Sequence, residues 1–404
     1  MSTLKGSSRR DFLKTLGVAG AGSLLLPGAT PASAAETPAA GSMPQRVFGR
    51  SGVKVPILSL GTMWDTPTNQ IVLKQALNLG VTYWDTAESY EGGRSEEGIG
   101  QFFQKYPEAR AKVFLVSKSY DPNHSVEAMD QHLAQSLERM KTSYIDMYYV
   151  HSVTDIKDVD RPETRAWAEK AKAAGKIKLF GFSSHRNMED CLAGASKLPW
   201  IDGVLHSYNF RIMHTQKMKD AVAACMDAGI GLTAMKTMGG GPVKAEGEAG
   251  QALADRFLAQ GYSAEQVKLK AVWSEERVAS LCSQMPNLAI LTANAAAAMD
   301  KTKLSQADLE ALAQYAAATA CEYCAGCTGV CERVLGDLPV GEVMRALMYA
   351  RSYGDLGRAR ELYAQLPASA LRALEGGQLA RAESLCPQGL AIASLLGEAH
   401  GMLA

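Results

Sequence analysis

The strongest constraint on the fold of this chain is a repeated alternation. Short apolar, β-branched runs occur at Pro56–Leu60, Tyr83–Asp85, Val113–Ser117, Ile145–Val150, Leu179–Phe182, Gly203–Ser207, Leu232–Met235 and Val278–Cys282. Amphipathic stretches lie between them, among them Gln70–Leu79, Glu96–Lys105, Ser125–Met140, Glu163–Ala174 and Gln216–Ala228. Such runs read as strands, each followed by a helix. Eight of these units in about 250 residues have the length of a (β/α)8 TIM barrel, an α/β fold. A doubly wound open sheet would need an early GxGxxG turn, and none follows the first run. After Lys303 the strand runs stop. Ser305–Ala318, Val340–Arg351, Leu356–Gln365 and Ser369–Leu379 read as helices, with Ser305 and Ser369 suited to be N-caps. The expected architecture is a barrel over residues 45–303 and a small helical module over 304–404.

The N-terminus reads as a targeting segment and is set aside from the fold. Ser8-Arg9-Arg10-Asp11-Phe12-Leu13-Lys14 looks like a twin-arginine export motif, an apolar run follows to Leu26, and Ala32-Ser33-Ala34 offers a cleavage site. The apolar run is shorter than the ~20 residues of a spanning helix, so residues 1–35 read as a cleaved signal rather than a stable membrane anchor. Residues 36–44 read as a linker. The expected location is periplasmic or otherwise outside the cytoplasm. Lys+Arg and Asp+Glu balance at 42 each, which leaves no nucleic-acid footprint.

Polar residues at the C-terminal ends of barrel strands usually belong to the active site. Asp85, Lys118 and His151 end the second, third and fourth strands, and Tyr90 stands five residues after Asp85. A phenol is a poor acid at neutral pH unless a cation lowers its pKa. Lys118 supplies such a cation, Asp85 can hold it, and His151 can donate to a substrate oxygen. The set suits protonation of a carbonyl oxygen as hydride reaches the carbon.

These residues sit in WDTAESY (Trp84–Tyr90), FLVSKS (Phe114–Ser119), YIDMYYVHS (Tyr144–Ser152) and GFSSH (Gly181–His185). In order and spacing the four pieces resemble the aldo-keto reductase superfamily, over roughly Arg46 to Asn294. The resemblance implies a nicotinamide cofactor across the barrel mouth and Tyr90 as general acid/base, with a small carbonyl, alcohol or sugar as substrate. It also places cofactor contacts at Gly61, Thr62, Ser183, Ser184, Asn209, Met235, Gly239, Gly240 and Asn294. Ser283–Asn287 lacks the basic residues that usually grip a 2′-phosphate, so NAD and NADP both stay open.

The cysteines form a separate signal. Four of the eight fall in CEYCAGCTGVC, from Cys321 to Cys331. Their spacing lets thiolates surround one soft metal centre and matches a bacterial iron–sulfur run, with zinc as the rival. One branch of the superfamily carries a C-terminal ferredoxin-like extension, which this module resembles. In two-cluster ferredoxins the last cysteine of each run serves the other cluster. A second run survives here only as Cys386-Pro387. A single 4Fe–4S cluster on Cys321, Cys324, Cys327 and Cys386 is therefore expected, with Cys331 as the alternative fourth ligand. Cys191, Cys225 and Cys282 read as buried thiols.

The expected function is an exported NAD(P)-linked oxidoreductase carrying one cluster, with an electron-transfer partner in prospect. The alternatives are a non-enzymatic binding or relay protein, and a sugar lyase or epimerase with a retained cofactor.

Overall fold

The computed structural model describes residues 43–240, 248–336, 338–367 and 378–404. The signal segment and most of the expected helix Ser369–Leu379 lie outside them.

A short antiparallel hairpin comes first, β1 (Gln45–Val47) and β2 (Lys54–Pro56). Eight strands then follow: β3 (Leu58–Gly61), β4 (Tyr83–Asp85), β5 (Phe114–Ser119), β6 (Ile145–Val150), β7 (Ile177–Ser184), β8 (Gly203–Ser207), β9 (Gly231–Met235) and β10 (Ser280–Gln284). All pair in parallel, and β10 returns to β3, closing the barrel. β4, β6 and β8 match the expected runs residue for residue, and the other five differ at one or both ends.

The hairpin was not anticipated, and it has a packing role. Phe48 follows β1 and is fully buried at the N-terminal end of the barrel. A Cβ on Gly203 or Gly231 would stand 2.6 or 2.5 Å from its ring, so both strands need glycine at these points. Burying a phenylalanine contributes about 1.5–3 kcal/mol. Above Phe48 the barrel interior is filled by Tyr83, Phe114, Val116, Met147, Tyr149 and Leu205. It is a packed core, which leaves chemistry to the strand ends.

Ser305 caps the helix Gln306–Ala318 through a capping box with Asp308. That helix lays Leu312, Tyr315 and Ala316 against Phe210, Leu253 and Phe257. Beyond it, the helices Val340–Met348, Leu356–Ala364, Leu379–Leu385 and Ile392–Leu403 enclose a second core around Val343, Leu347, Leu362 and Leu396. Val340–Met348 runs on into a π turn, Tyr349–Tyr353, that ends at left-handed Gly354.

Candidate active site

β4, β5 and β6 bring the four expected residues together. Asp85 closes β4, Lys118 is the penultimate residue of β5, and His151 follows β6 directly. Tyr90 opens the short turn Tyr90–Gly93 above them.

The Lys118 ammonium has three protons, and each has a partner. It donates to Asp85 Oδ1 at 2.8 Å, to the Thr86 carbonyl at 2.6 Å and to Tyr90 Oη at 3.1 Å. Lys118 is 1% exposed and Asp85 3%, so the pair is fixed in place and shielded from water. Tyr90 Oη receives an N–H from below, which leaves its own O–H to point away. The His151 ring meets Tyr90 edge-on, with centroids 5.9 Å apart.

Burial lowers the Lys118 pKa, but the Asp85 charge and the Tyr90 phenol outweigh it and hold the ammonium above its ordinary value. Burial raises the Asp85 carboxyl, with Lys118 and the Cys282 thiol opposing. Tyr90 departs from the expectation that Lys118 would lower its phenol. Lys118 does pull it down, but burial is the larger effect and pushes it up to about 12. Tyr90 is therefore a neutral phenol throughout the physiological range. His151 is driven well below its ordinary value by burial and by Lys118, Arg345, Arg358 and His124. It too is neutral. The site can offer a carbonyl oxygen two neutral donors, with a fixed cation behind one of them.

Glu88, two residues before Tyr90, is buried and accepts the Tyr120 N–H at 3.0 Å. Burial pushes its carboxyl up from 4.5 to about 7, although the Tyr120 N–H opposes the change. The native state thus binds this proton more tightly than the unfolded chain does. Its contribution to stability is full below about 4.5 and is lost as pH rises through about 7. Glu88→Gln should abolish that loss. In urea unfolding it should equal the parent at pH ~4 and exceed it by on the order of 3 kcal/mol at pH ~8. Equal pH dependence in the two proteins would show that Glu88 is not the group responsible.

The expected cofactor contacts lie on the same rim. Gly61 closes β3, with Thr62 next. Ser183 and Ser184 close β7, Met235 closes β9, and Asn209, Gly239 and Gly240 follow β8 and β9. Asn294 lies on the helix after β10 and donates to Ser283. Many of their polar atoms are already engaged. Thr62 donates to the Asp85 carbonyl, Ser183 accepts from Ser152, and Ser184 donates to the Arg186 carbonyl. Asn209 donates to the Lys236 carbonyl at 3.1 Å and to Tyr323 Oη at 3.0 Å. Met235 packs with the barrel interior. Gly239 and Gly240 have φ of 55° and 90°, and a Cβ on Gly240 would lie 2.9 Å from the Tyr323 ring.

Tyr323 belongs to the helical module, and it introduces what the sequence reading missed: the module covers the mouth. Arg211 donates to Thr319, Asn187 accepts the Gly329 N–H, and Arg186 pairs with Glu332 and Glu342. Lys236 donates to Tyr349 Oη. Lys236 was in plain view beside Met235, but Arg345 and Tyr349 stand more than a hundred residues beyond it and had no local signal.

In the cysteine segment, the thiols of Cys327, Cys331 and Cys386 all bear on Cys324. Burial first, then these neighbours, push Cys324 up to about 12. Cys321 is exposed, in the turn Ala320–Glu322. Among the described residues, no group of three or more His, Cys, Asp or Glu is set to hold a metal ion.

The comparisons with known proteins fall on this framework. The model of the Aldo/keto reductase family matches residues 58–317, well over half the chain. The chain belongs to the aldo/keto reductase family. Among curated relatives it is 28% identical over 219 residues to the uncharacterized oxidoreductase YrpG of Bacillus subtilis, covering 48% of this chain and 66% of that one. It is 29% identical over 163 residues to the L-glyceraldehyde 3-phosphate reductase of Escherichia coli, covering 36% of this chain and 46% of that one. The match thus spans about half to two thirds of the relatives' length. Among solved structures, the aldo-keto reductase AKR11C1 of Bacillus halodurans superposes with a TM-score of 0.57 at 21% identity, covering 68% of this chain and 96% of that one. The thermostable aldo-keto reductase Tm1743 gives 0.55 at 23% identity, covering 68% of this chain and all of the other. At these identities the two structures speak for the fold alone, a parallel eight-stranded barrel.

Proposed function

We propose that this aldo/keto reductase family member reduces a small carbonyl compound with a nicotinamide cofactor. The observation that carries the reading is the Lys118 tripod, which fixes a half-buried phenol beside a neutral imidazole. Ser183, Ser184, Asn209, Met235, Gly239, Gly240 and Asn294 follow β7 to β10 along one rim, and their placement fits an extended cofactor. When bound, the reduced nicotinamide supplies the hydride. The chain supplies the rest. His151 and Tyr90 hold the carbonyl oxygen by hydrogen bonds, and Tyr90 gives up its proton as charge develops there. Lys118 stabilises the phenolate left behind, and Asp85 keeps the ammonium in place. Solvent then reprotonates Tyr90. NADPH and NADH consumption by the full chain with phenylglyoxylate as acceptor tests the reading, and no turnover with either would sink it.

A second reading, a non-enzymatic binding or relay protein, is favoured by one observation: Asn209 is already engaged by Tyr323. Calorimetric titration with NADPH and NADH separates the two, since a relay protein need bind neither.

The helical module we read as the seat of one 4Fe–4S cluster on Cys321, Cys324, Cys327 and Cys386, with Cys331 as the alternative fourth ligand. Support comes from the thiol chemistry and from the mutual influence of Cys324, Cys327, Cys331 and Cys386. A four-iron cube also spreads its thiolates wider than a single ion would. The twin arginines support export with the cluster already assembled. Anaerobically prepared envelope fractions should yield this chain with iron and sulfide, Cys324→Ser should lose both, and Arg9→Lys/Arg10→Lys should hold it in the cytoplasm. An iron-free parent chain would refute the cluster.

A further inference from the structure

The roof that the helical module sets over the barrel mouth brings Arg345 to the same cavity as Lys236 of the barrel. The cavity between roof and barrel is lined by His185, Ser207 and Lys236 from below and by Arg345 from the helix Val340–Met348 above. It encloses about 90 Å³, room for a group the size of roughly three waters.

Lys236 enters from the end of β9 with a left-handed backbone, φ 56°, which is costly for any residue but glycine. Its ammonium donates to Tyr349 Oη and lies 4.5 Å from the centre of that ring. Arg345 is oriented by Glu342, which is shared with Arg186 at 3.3 Å, so two guanidiniums divide one carboxylate. Three polar side chains report the local field: His151, His185 and Tyr349. The main charges acting on them come from Lys118, Lys236, Arg345 and Arg358, and no carboxylate is among these. Nδ1 of both histidines has no partner among the described residues. Glu322 also lines the cavity, but Arg186, Lys236, Arg345 and Arg351 outnumber it there, and a low-dielectric cleft with an excess of one sign concentrates the opposite sign.

We propose that this roof is an anion subsite, in which Lys236 and Arg345 bind a carboxylate of the substrate and direct the neighbouring carbonyl to Tyr90 and His151. The substrate class is then small carbonyl acids. The cavity's size suits a carboxylate, and the flat guanidinium of Arg345 matches one in shape. The proposal rests on the reductase reading for its carbonyl, but the subsite is tested by binding alone.

The probe is oxamate, an unreactive planar carboxylate, titrated calorimetrically into the full chain. Saturable binding is expected, weakened about tenfold or more in Lys236→Met and in Arg345→Met. Lys236→Arg should retain it, which guards against a variant that merely disturbs the roof. Oxamide, the neutral diamide, should not compete. No binding of oxamate, equal binding in both Met variants, or equal binding of oxamide would overturn the subsite. Inorganic phosphate binding more tightly than oxamate would overturn the carboxylate class. Failure of the reductase reading appears elsewhere, in turnover, which this titration does not measure.

Discussion

Replacing Tyr90 by Phe should lower kcat/KM for carbonyl reduction by about a hundred- to ten-thousandfold, with the fold intact. The phenol ring packs against His151, so phenylalanine keeps the ring in place and removes the hydroxyl, which is both the proton donor and the acceptor of one Lys118 N–H. The loss should fall chiefly on kcat, because proton transfer is needed in the transition state more than in the bound ground state. The pH profile sharpens this expectation. With Tyr90 pushed up to about 12 and His151 held well below its ordinary value, neither group changes charge in the neutral range. Reduction by the parent chain should therefore show no limb near the usual histidine pKa. A limb there that disappears in His151→Asn would place a charged imidazole in the reaction and contradict the proposed roles.

The second large effect concerns stability. Lys118→Met should destabilise the chain by about 3–5 kcal/mol at neutral pH, because it leaves the Asp85 carboxylate buried without its partner. The 2.8 Å contact and the burial of both side chains make this pair unlike a surface ion pair. The penalty should shrink as pH falls, since burial raises the Asp85 carboxyl and a protonated Asp85 no longer needs the cation. Adding Asp85→Asn to Lys118→Met should recover much of the lost stability, since removing both partners spares the cost of a stranded charge. Denaturant unfolding of the three variants measures it. A full-size loss that persists in the double variant would mean that packing of the lysine stem, not charge, is what the site requires.

Much of this site was legible in the sequence because barrel chemistry follows strand ends. Asp85, Lys118 and His151 could be placed once the apolar runs before them were recognised, and Tyr90 followed from its distance to Asp85. Strand limits were less legible where both faces are buried. Leu179–Phe182 is the apolar heart of β7, but the ladder carries pairing from Ile177 through Ser184, because hydrogen bonding does not stop where hydrophobicity does. The hairpin was overlooked because β1 and β2 are three residues each, too short to show a period. The last helix, by contrast, could have been read. Ile392, Leu396, Ala399 and Leu403 recur at helical spacing and face the module's core.

The roof was not legible for a different reason. Tyr323, Arg345 and Tyr349 gain their meaning only from contacts with Asn209, Glu342 and Lys236, and for Asn209 and Lys236 those contacts span more than a hundred residues. No local pattern marks such a pairing. The same holds for Tyr90, whose position was evident but whose pKa was not. The sequence shows the cation beside the phenol, whereas the burial that outweighs it is a property of the folded mouth.

Transfer of deuterium from reduced nicotinamide to phenylglyoxylate tests the central claim most directly. With the parent chain the label should reach the former carbonyl carbon, and with Tyr90→Phe the labelled product should fall to trace amounts. Labelled product formed by Tyr90→Phe at the parent rate, or a parent chain that binds nicotinamide and never passes the label on, would contradict the account.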